Sequence, residues 1–291
     1  MGRSLSAKFW SWFLGKQKTD CSNPEAMEKY IQTAYKNQEK PYEIDYKFKS
    51  PVKIEQYQNM PIAILNPQKE PKQTVFYIPG GAYFAEPTMM HYSMLDEITQ
   101  ESMAQIVIFA HPKAPSHHAE ESYELLESYY RNFIRNKNTG RIIWAGDSAG
   151  GGLALGLAEY LSEGTDLILL SPWLDITMKN PAMKSLIPKD NMLDYHQLVG
   201  CGKVWADNIS CEDYRVSPIN GDVSGLGKIL LFAGTNELFH PDICQFKEKL
   251  DAYEISCQLI LGEEMEHIWP LLPIKEAKTS RKKIVEFIIN N

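Results

Sequence analysis

The sequence has no apolar run long enough to span a bilayer, and its N-terminus has neither the unbroken hydrophobic region nor the cleavage site of a secretory signal. These absences predict a cytoplasmic protein with no stable membrane insertion. Basic residues are not in excess: 30 Lys and Arg face 37 Asp and Glu, a formal charge of −7, which leaves no electrostatic footprint for nucleic acid. Cysteine is sparse. Cys21, Cys201, Cys211, Cys244 and Cys257 are odd in number and widely spaced, with no CxxC pair, so they read as reduced thiols packed as small apolar residues and not as a zinc site. No internal repeat, low-complexity tract or linker divides the 291 residues, of which 44% are hydrophobic and 23% charged. One large α/β domain with an insertion fits that length. Met1-Gly2 followed by Ser6 matches a loose myristoylation pattern of little information.

What the chain does have is RIIWAGDSAGGGLALGLAEYL, residues 141–161. A short β-branched apolar run meets Gly146-Asp147-Ser148-Ala149-Gly150 and continues as a Leu and small-residue pattern, which reads as strand, sharp turn, helix. Such a turn exposes a serine hydroxyl at the edge of a sheet, and a Cβ on either flanking glycine would strike the neighbouring strand or helix. Ser148 is therefore a candidate nucleophile; the alternative is an ordinary helix N-cap.

Ahead of it, residues 1–40 carry two helical patterns, the first with Phe9, Trp10, Phe13 and Leu14, the second starting at Asn23-Pro24. They predict a pair of helices lying over a pocket. The rivals are an interfacial membrane helix, given Lys8, Lys16 and Lys18, or simple packing on the main domain. EIDYKFK, VKIEQYQ and PIAIL, between Tyr42 and Asn66, alternate as antiparallel strands. Thr74–Ile78 is a buried strand running into Pro79-Gly80-Gly81-Ala82. Helix over 90–103, strand over 105–110, helix over 120–136, strand over 166–170, strand over 228–233, helix over 242–253, strand over 257–261 and a C-terminal helix follow. This rhythm predicts a mostly parallel sheet with helices on both faces. Between 176 and 226 it lapses into a polar, Pro-interrupted segment, read as an insertion covering the site.

A serine hydroxyl needs a base, an orienting acid and oxyanion donors. The strand KILLFA ends at Gly234-Thr235-Asn236-Glu237, and QLIL at Gly262 to His267, so the order along the chain is serine, acid, histidine. His267 is the candidate base, Glu237 the acid, and the N–H groups of Gly80, Gly81 and Ala149 the oxyanion donors. Asp242 is a less favoured acid. Tyr83 and Phe84, beside the glycines, are candidate substrate-binding residues, with core packing the alternative for them as for Trp173, Trp205 and Trp269. His111, His117 and His118 read as a polar loop, because no carboxylate or cysteine stands at metal-ligand spacing.

Taken together, PGGAYF, GDSAGGGLA, LSPWLD, AGTNEL with Pro241-Asp242, and MEHIWP resemble the hormone-sensitive-lipase-like branch of the α/β-hydrolase family. The resemblance, from about residue 60 to the C-terminus, implies an α/β-hydrolase fold and a carboxylesterase working through an acyl-enzyme on a small, soluble, short-acyl ester. No cofactor or metal is implied. It also implies a core over 41–175 and 227–291, with a helical cap built from 1–40 and 176–226; a homodimer is left open. Three departures stand out. The family's HGGG is Pro79-Gly80-Gly81-Ala82 here, so the loop's support must differ; Glu237 stands where Asp is common; and Ser116 replaces the Glu of a YRLAPE-like segment. The rival readings are a ligand-binding protein on a retired hydrolase scaffold and a membrane-surface lipase anchored by residues 8–14.

Overall fold

A computed structural model describes residues 2–136 and 140–290. Sixteen principal elements follow one another. They are helices α1 (Leu5–Gln17) and α2 (Pro24–Gln38), strands β1 (Val52–Tyr57), β2 (Met60–Leu65) and β3 (Gln73–Ile78), then α3 (Met89–Ser102), β4 (Gln105–Phe109), α4 (Ala119–Tyr129), β5 (Arg141–Asp147), α5 (Ser148–Leu161), β6 (Asp166–Leu170), α6 (Tyr195–Ala206), β7 (Ile229–Gly234), α7 (His240–Ala252), β8 (Cys257–Gly262) and α8 (Lys275–Asn290). Local chemistry sets the first helix starts. Ser4 Oγ accepts from the Ala7 N–H at 3.2 Å, and Asn23 Oδ1 from the Ala26 N–H at 2.8 Å with Pro24 following, so side chains satisfy donors that have no partner within the helix.

The eight strands form one sheet in the order β1-β2-β4-β3-β5-β6-β7-β8. β1 and β2 pair antiparallel, as do β2 and β4; every other pair is parallel. The chain leaves β3 toward β4 on one side and returns to β5 on the other, so the order reverses at β3/β5 and opens a crevice at the C-terminal ends of those strands.

Period-2 alternation divides the core between the two faces of the sheet. Phe76 and Ile78 point toward α4, α5 and α7, while Val75 and Tyr77 point toward α3 and α8. On the first face Phe76 meets Trp144 edge-on at 4.7 Å and stacks on Tyr129 at 6.0 Å. Burying aromatics of this size contributes roughly 2–3 kcal/mol each. The two N-terminal helices separate: α2 joins the first core together with α6, and α1 packs into the second beside α8.

Residues 43–49, expected as a strand, form none. Their alternation is real, but the partner is a helix: Tyr46 and Phe48 pack on Tyr92 of α3, and the Lys49 and Ser50 N–H groups donate to the Asp96 carboxylate at 2.8 and 2.9 Å. The helix expected over 120–136 is α4 continued by a π-helical turn, Tyr130–Arg135. The 176–226 segment holds α6 and two short 3₁₀ turns, Pro181–Ser185 and Pro218–Asn220.

Candidate active site

β5 passes directly into α5, and the turn puts Ser148 at φ +52°, in the left-handed region that costs an L-residue about 1–2 kcal/mol. Two glycines permit it. A Cβ on Gly146 would lie 2.5 Å from the Gly150 carbonyl oxygen, and one on Gly150 only 2.1 Å from that of Ile78. The serine is thereby held at the C-terminal end of β5, beside the crevice.

His267, in the loop after β8, has Nε2 2.8 Å from Ser148 Oγ, and its Nδ1 lies 2.5 Å from Glu237 Oε2, in the loop after β7. Glu237 Oε1 accepts from the Gly234 N–H at 2.8 Å, and the edge of Phe239 meets the imidazole at 5.0 Å. All three side chains are buried. A carboxylate on Nδ1 keeps a proton there and leaves Nε2 free to accept from the serine hydroxyl. Asp242 stands apart: its Oδ1 accepts from Asn180 Nδ2 at 2.8 Å, and burial pushes its carboxyl up to about 6.

The oxyanion reading needs one correction. The Gly80 N–H donates to Asp147 Oδ1 at 3.0 Å and is not available to a substrate. Gly80 serves as a spacer, since a Cβ there would lie 2.5 Å from Asp147 Oδ2 and 2.9 Å from Ser148 Cβ. The next two N–H groups, of Gly81 and Ala82, have no acceptor among the described residues, and that of Ala149 is in the first turn of α5, where no intrahelical acceptor exists. Gly81 at φ +129° and Ala82 at φ +52° turn the loop so that the Phe84 and Ala85 N–H groups close on the Gly81 carbonyl.

Asp147 answers the question raised by the missing HGGG histidine. Its buried carboxylate accepts from Tyr77 Oη at 2.7 Å and from Gly80, and pairs with His91 Nε2 at 3.2 Å, while the Thr88 N–H donates to His91 Nδ1 at 3.0 Å. Burial acts to raise this carboxyl, but the His91 pair and the hydrogen bonds from His91, Tyr77 and Gly80 outweigh it and hold it below the ordinary range. Sequence reading passed over Asp147, the variable position of the serine motif, and His91, one of many polar residues in α3.

Two more acids behind the site escaped the sequence. Glu266, one residue before His267, accepts from Ser11 Oγ at 2.6 Å, Arg3 Nη1 at 3.2 Å and Asn191 Nδ2 at 3.3 Å. Asp190, pushed up to about 6 by burial, accepts from the Met192 and Leu193 N–H groups at 2.8 and 2.7 Å and from the N–H of Leu238, the residue after Glu237, at 2.8 Å.

The aromatic candidates separate. Tyr83 is buried, its ring parallel to Trp205 at 4.2 Å and stacked on Trp173 at 5.3 Å. Phe84 faces Tyr30 of α2 at 5.7 Å and borders a cleft of about 480 Å³, with Tyr30, Gln38, Tyr42 and Glu86 also in its wall. Gln38 spans the segment where Ser116 departs from the family: its Nε2 donates to the Ala114 carbonyl at 2.7 Å, and its Oε1 accepts from the Ser116 N–H at 3.3 Å. The three histidines do not converge; His111 is buried against the Pro112 carbonyl, His117 pairs with Glu121, and His118 bonds the Val204 carbonyl.

Residues 75–271 match the profile of a family described as alpha/beta hydrolase fold. An esterase from Acinetobacter venetianus is 28% identical over 229 residues, 76% of this chain and 76% of that protein. An acetyl-hydrolase from Streptomyces hygroscopicus is 24% identical over 221 residues, covering 72% and 73%. Among solved structures, a hormone-sensitive lipase from a metagenome library superposes with a TM-score of 0.82 at 20% identity, covering 99% and 98% of the two chains; that likeness is one of fold.

Proposed function

The chain belongs to the alpha/beta-hydrolase fold family, and on that footing we propose that it is an esterase, a serine carboxylesterase that cleaves small, short-acyl esters through an acyl-enzyme. The observation that carries this reading is the unbroken line from Glu237 through His267 to Ser148, with spacings of 2.5 and 2.8 Å. It lies beside N–H groups that have no acceptor among the described residues.

Ser148 Oγ attacks the ester carbonyl as His267 Nε2 takes its proton. Glu237, on Nδ1, stabilises the imidazolium. The tetrahedral oxyanion is accepted by the N–H groups of Gly81, Ala82 and Ala149, each donor supplying roughly 3–4 kcal/mol in the transition state. His267 then protonates the departing alkoxide, and a water, activated by the same imidazole, releases the acid and restores Ser148. The Asp147–His91–Tyr77 cluster supports the donor loop. α2 and α6 pack on the same face of the sheet as α5, and the cleft beside Phe84 lies next to the donor loop, its wall including Phe84 and Ala85.

The short-acyl preference draws on the esterase and acetyl-hydrolase relatives. A cytoplasmic setting draws on five cysteines without a disulfide. No helix among the described residues is long and apolar enough to cross a membrane. The test is a burst of p-nitrophenol from p-nitrophenyl acetate, lost in Ser148→Ala, followed by an acyl-chain series whose optimum reports pocket depth. Wild type that neither turns over nor is labelled by a serine-directed phosphonate would be a binding protein on a hydrolase scaffold, and the esterase reading would fall.

A further inference from the structure

Helix α1 carries large apolar side chains on its exposed side. Ala7 and Ser11 face inward and are buried, yet Leu5, Phe9 and Trp12 are 85, 55 and 57% exposed. Their spacing of four and three residues places them on one ridge. Phe9 and Trp12 lie 6.0 Å apart, and Lys16 Nζ stands 5.0 Å above the Trp12 ring. Solvated aromatic and aliphatic side chains grouped in this way mark a surface that meets another phase or partner.

Charge indicates which. Helix α8 is joined to the start of α1 where the Ser4 N–H donates to Glu276 Oε1 at 2.7 Å and the Lys275 N–H to Ser6 Oγ at 3.2 Å. It presents Lys275, Lys278 and Lys282, all exposed and spaced by three and four residues, along one side. Residues 1–19 and 275–290 together hold nine of the chain's 30 lysines and arginines but two of its 37 acids, leaving 21 against 35 elsewhere. Of the nine, Arg3 is paired with Glu266, Arg281 with Glu97 and Lys283 with Glu286, which leaves Lys8, Lys16, Lys18, Lys275, Lys278 and Lys282; the other acid, Glu276, is bonded to Ser4. In a chain of net charge −7, the two helices that meet at this exposed apolar ridge thus carry a local excess of positive charge.

We propose that the α1 ridge and the α8 lysines form a docking surface for an anionic phospholipid bilayer. The rings of Phe9 and Trp12 and the Leu5 side chain enter the headgroup boundary, and the lysines meet lipid phosphates. This is attachment and not insertion, because a 13-residue helix is about 20 Å long against a hydrocarbon core of about 30 Å. A symmetric contact between two copies through this face would bring lysine against lysine, and a nucleic-acid backbone gives an aliphatic and aromatic ridge nothing to enter.

The full chain is sedimented with vesicles of phosphatidylcholine alone and of phosphatidylcholine mixed with phosphatidylglycerol. Expected is binding at least about tenfold tighter to the anionic vesicles, weakened by salt. Phe9→Ser with Trp12→Ser, and separately Lys275→Glu with Lys278→Glu and Lys282→Glu, each lose at least about tenfold of that binding. Both keep the wild-type circular dichroism and rate on p-nitrophenyl acetate, and the lysine variant carries the test if the ring variant is unstable. Equal binding to both vesicles, no binding, unaltered binding by the lysine variant, a wild-type dimer dissolved by the ring variant, or binding of duplex DNA in place of vesicles would overturn the proposal. Binding is read without turnover, so its failure is separate from failure of the esterase reading.

Discussion

Ser11, in the first helix, donates its hydroxyl to Glu266 at 2.6 Å across 255 residues of sequence, and Glu266 is the neighbour of His267. Arg3 and Asn191 complete the same carboxylate, so α1 and the 176–226 segment converge on the loop that carries the imidazole. Glu266 is a positioning residue in this arrangement. Glu266→Ala strips the buried Ser11 hydroxyl and the Asn191 N–H of their acceptor, while Asn191 Nδ2 keeps Ser11 Oγ at 3.0 Å, and should lower stability by about 1–3 kcal/mol, read as a fall in urea midpoint. Because the imidazole then loses its fixed aim, kcat for p-nitrophenyl acetate falls while KM holds, and Ser11→Ala gives a smaller loss of the same kind. An unchanged kcat in a variant with a lowered midpoint would make the cluster purely structural.

Glu237 lies on His267 Nδ1 while Asp242 is held by Asn180, and isosteric amides test that assignment of the orienting acid. Glu237→Gln retains size but turns an NH₂ group toward either His267 Nδ1 or the Gly234 N–H, favouring the wrong tautomer. kcat should fall by roughly 10³–10⁴ with the fold intact. Asp242→Asn, at a carboxyl already raised to about 6 and bonded to Asn180, should leave kcat within about twofold. The reverse ranking would make Asp242 the acid.

The loop proposed to hold the oxyanion supports opposite expectations at two small residues, Gly80 and Ala82. Gly80→Ala sets a methyl against Asp147 and Ser148, where Asp147's backbone oxygen at 2.6 Å cannot yield, so the donors that follow are displaced and kcat drops at least about a hundredfold. Ala82→Gly relieves a φ of +52° and should keep the wild-type rate. Steady-state kinetics on the two purified variants decide it, and an active Gly80→Ala would contradict the spacer role.

The placement of Ser148, Glu237 and His267 together was readable in the sequence because each lies at or just past a short apolar run, and parallel strands bring those ends to one edge. The order of the sheet, with β3 between β4 and β5, gathers the PGGA loop and the serine at the reversal point. Contacts decided by distant partners were not readable. Asp147 is a brace because Tyr77 and His91 surround it, and Glu266 is buried because Ser11 and Asn191, 255 and 75 residues away in sequence, reach it. Residues 43–49 show the same limit, since alternation tells that one side is covered but not whether a strand or a helix covers it. Gly80 was misassigned for a related reason: two adjacent glycines offer several N–H groups, and only the position of the Asp147 carboxylate tells which is occupied.

Glu159 gives the clearest pH signature. On α5 it is buried against Gly221, neither carboxylate oxygen has a hydrogen-bond partner among the described residues, and burial pushes its carboxyl up to about 9. The unfolded chain titrates this group near 4.5. Between those values the folded state holds a proton that the unfolded state has released, so stability falls as pH rises through this window, and above about 9 the full cost of a buried charge is present. Wild type should therefore lose urea midpoint steadily from pH 5 to about pH 9, by at least about 1 kcal/mol overall. Glu159→Gln, neutral throughout and able to donate, should flatten that slope and exceed wild type at pH 8 while matching it more closely at pH 5. Parallel slopes for the two proteins would mean that Glu159 ionises in the fold as it does in water, with Lys249 compensating its charge.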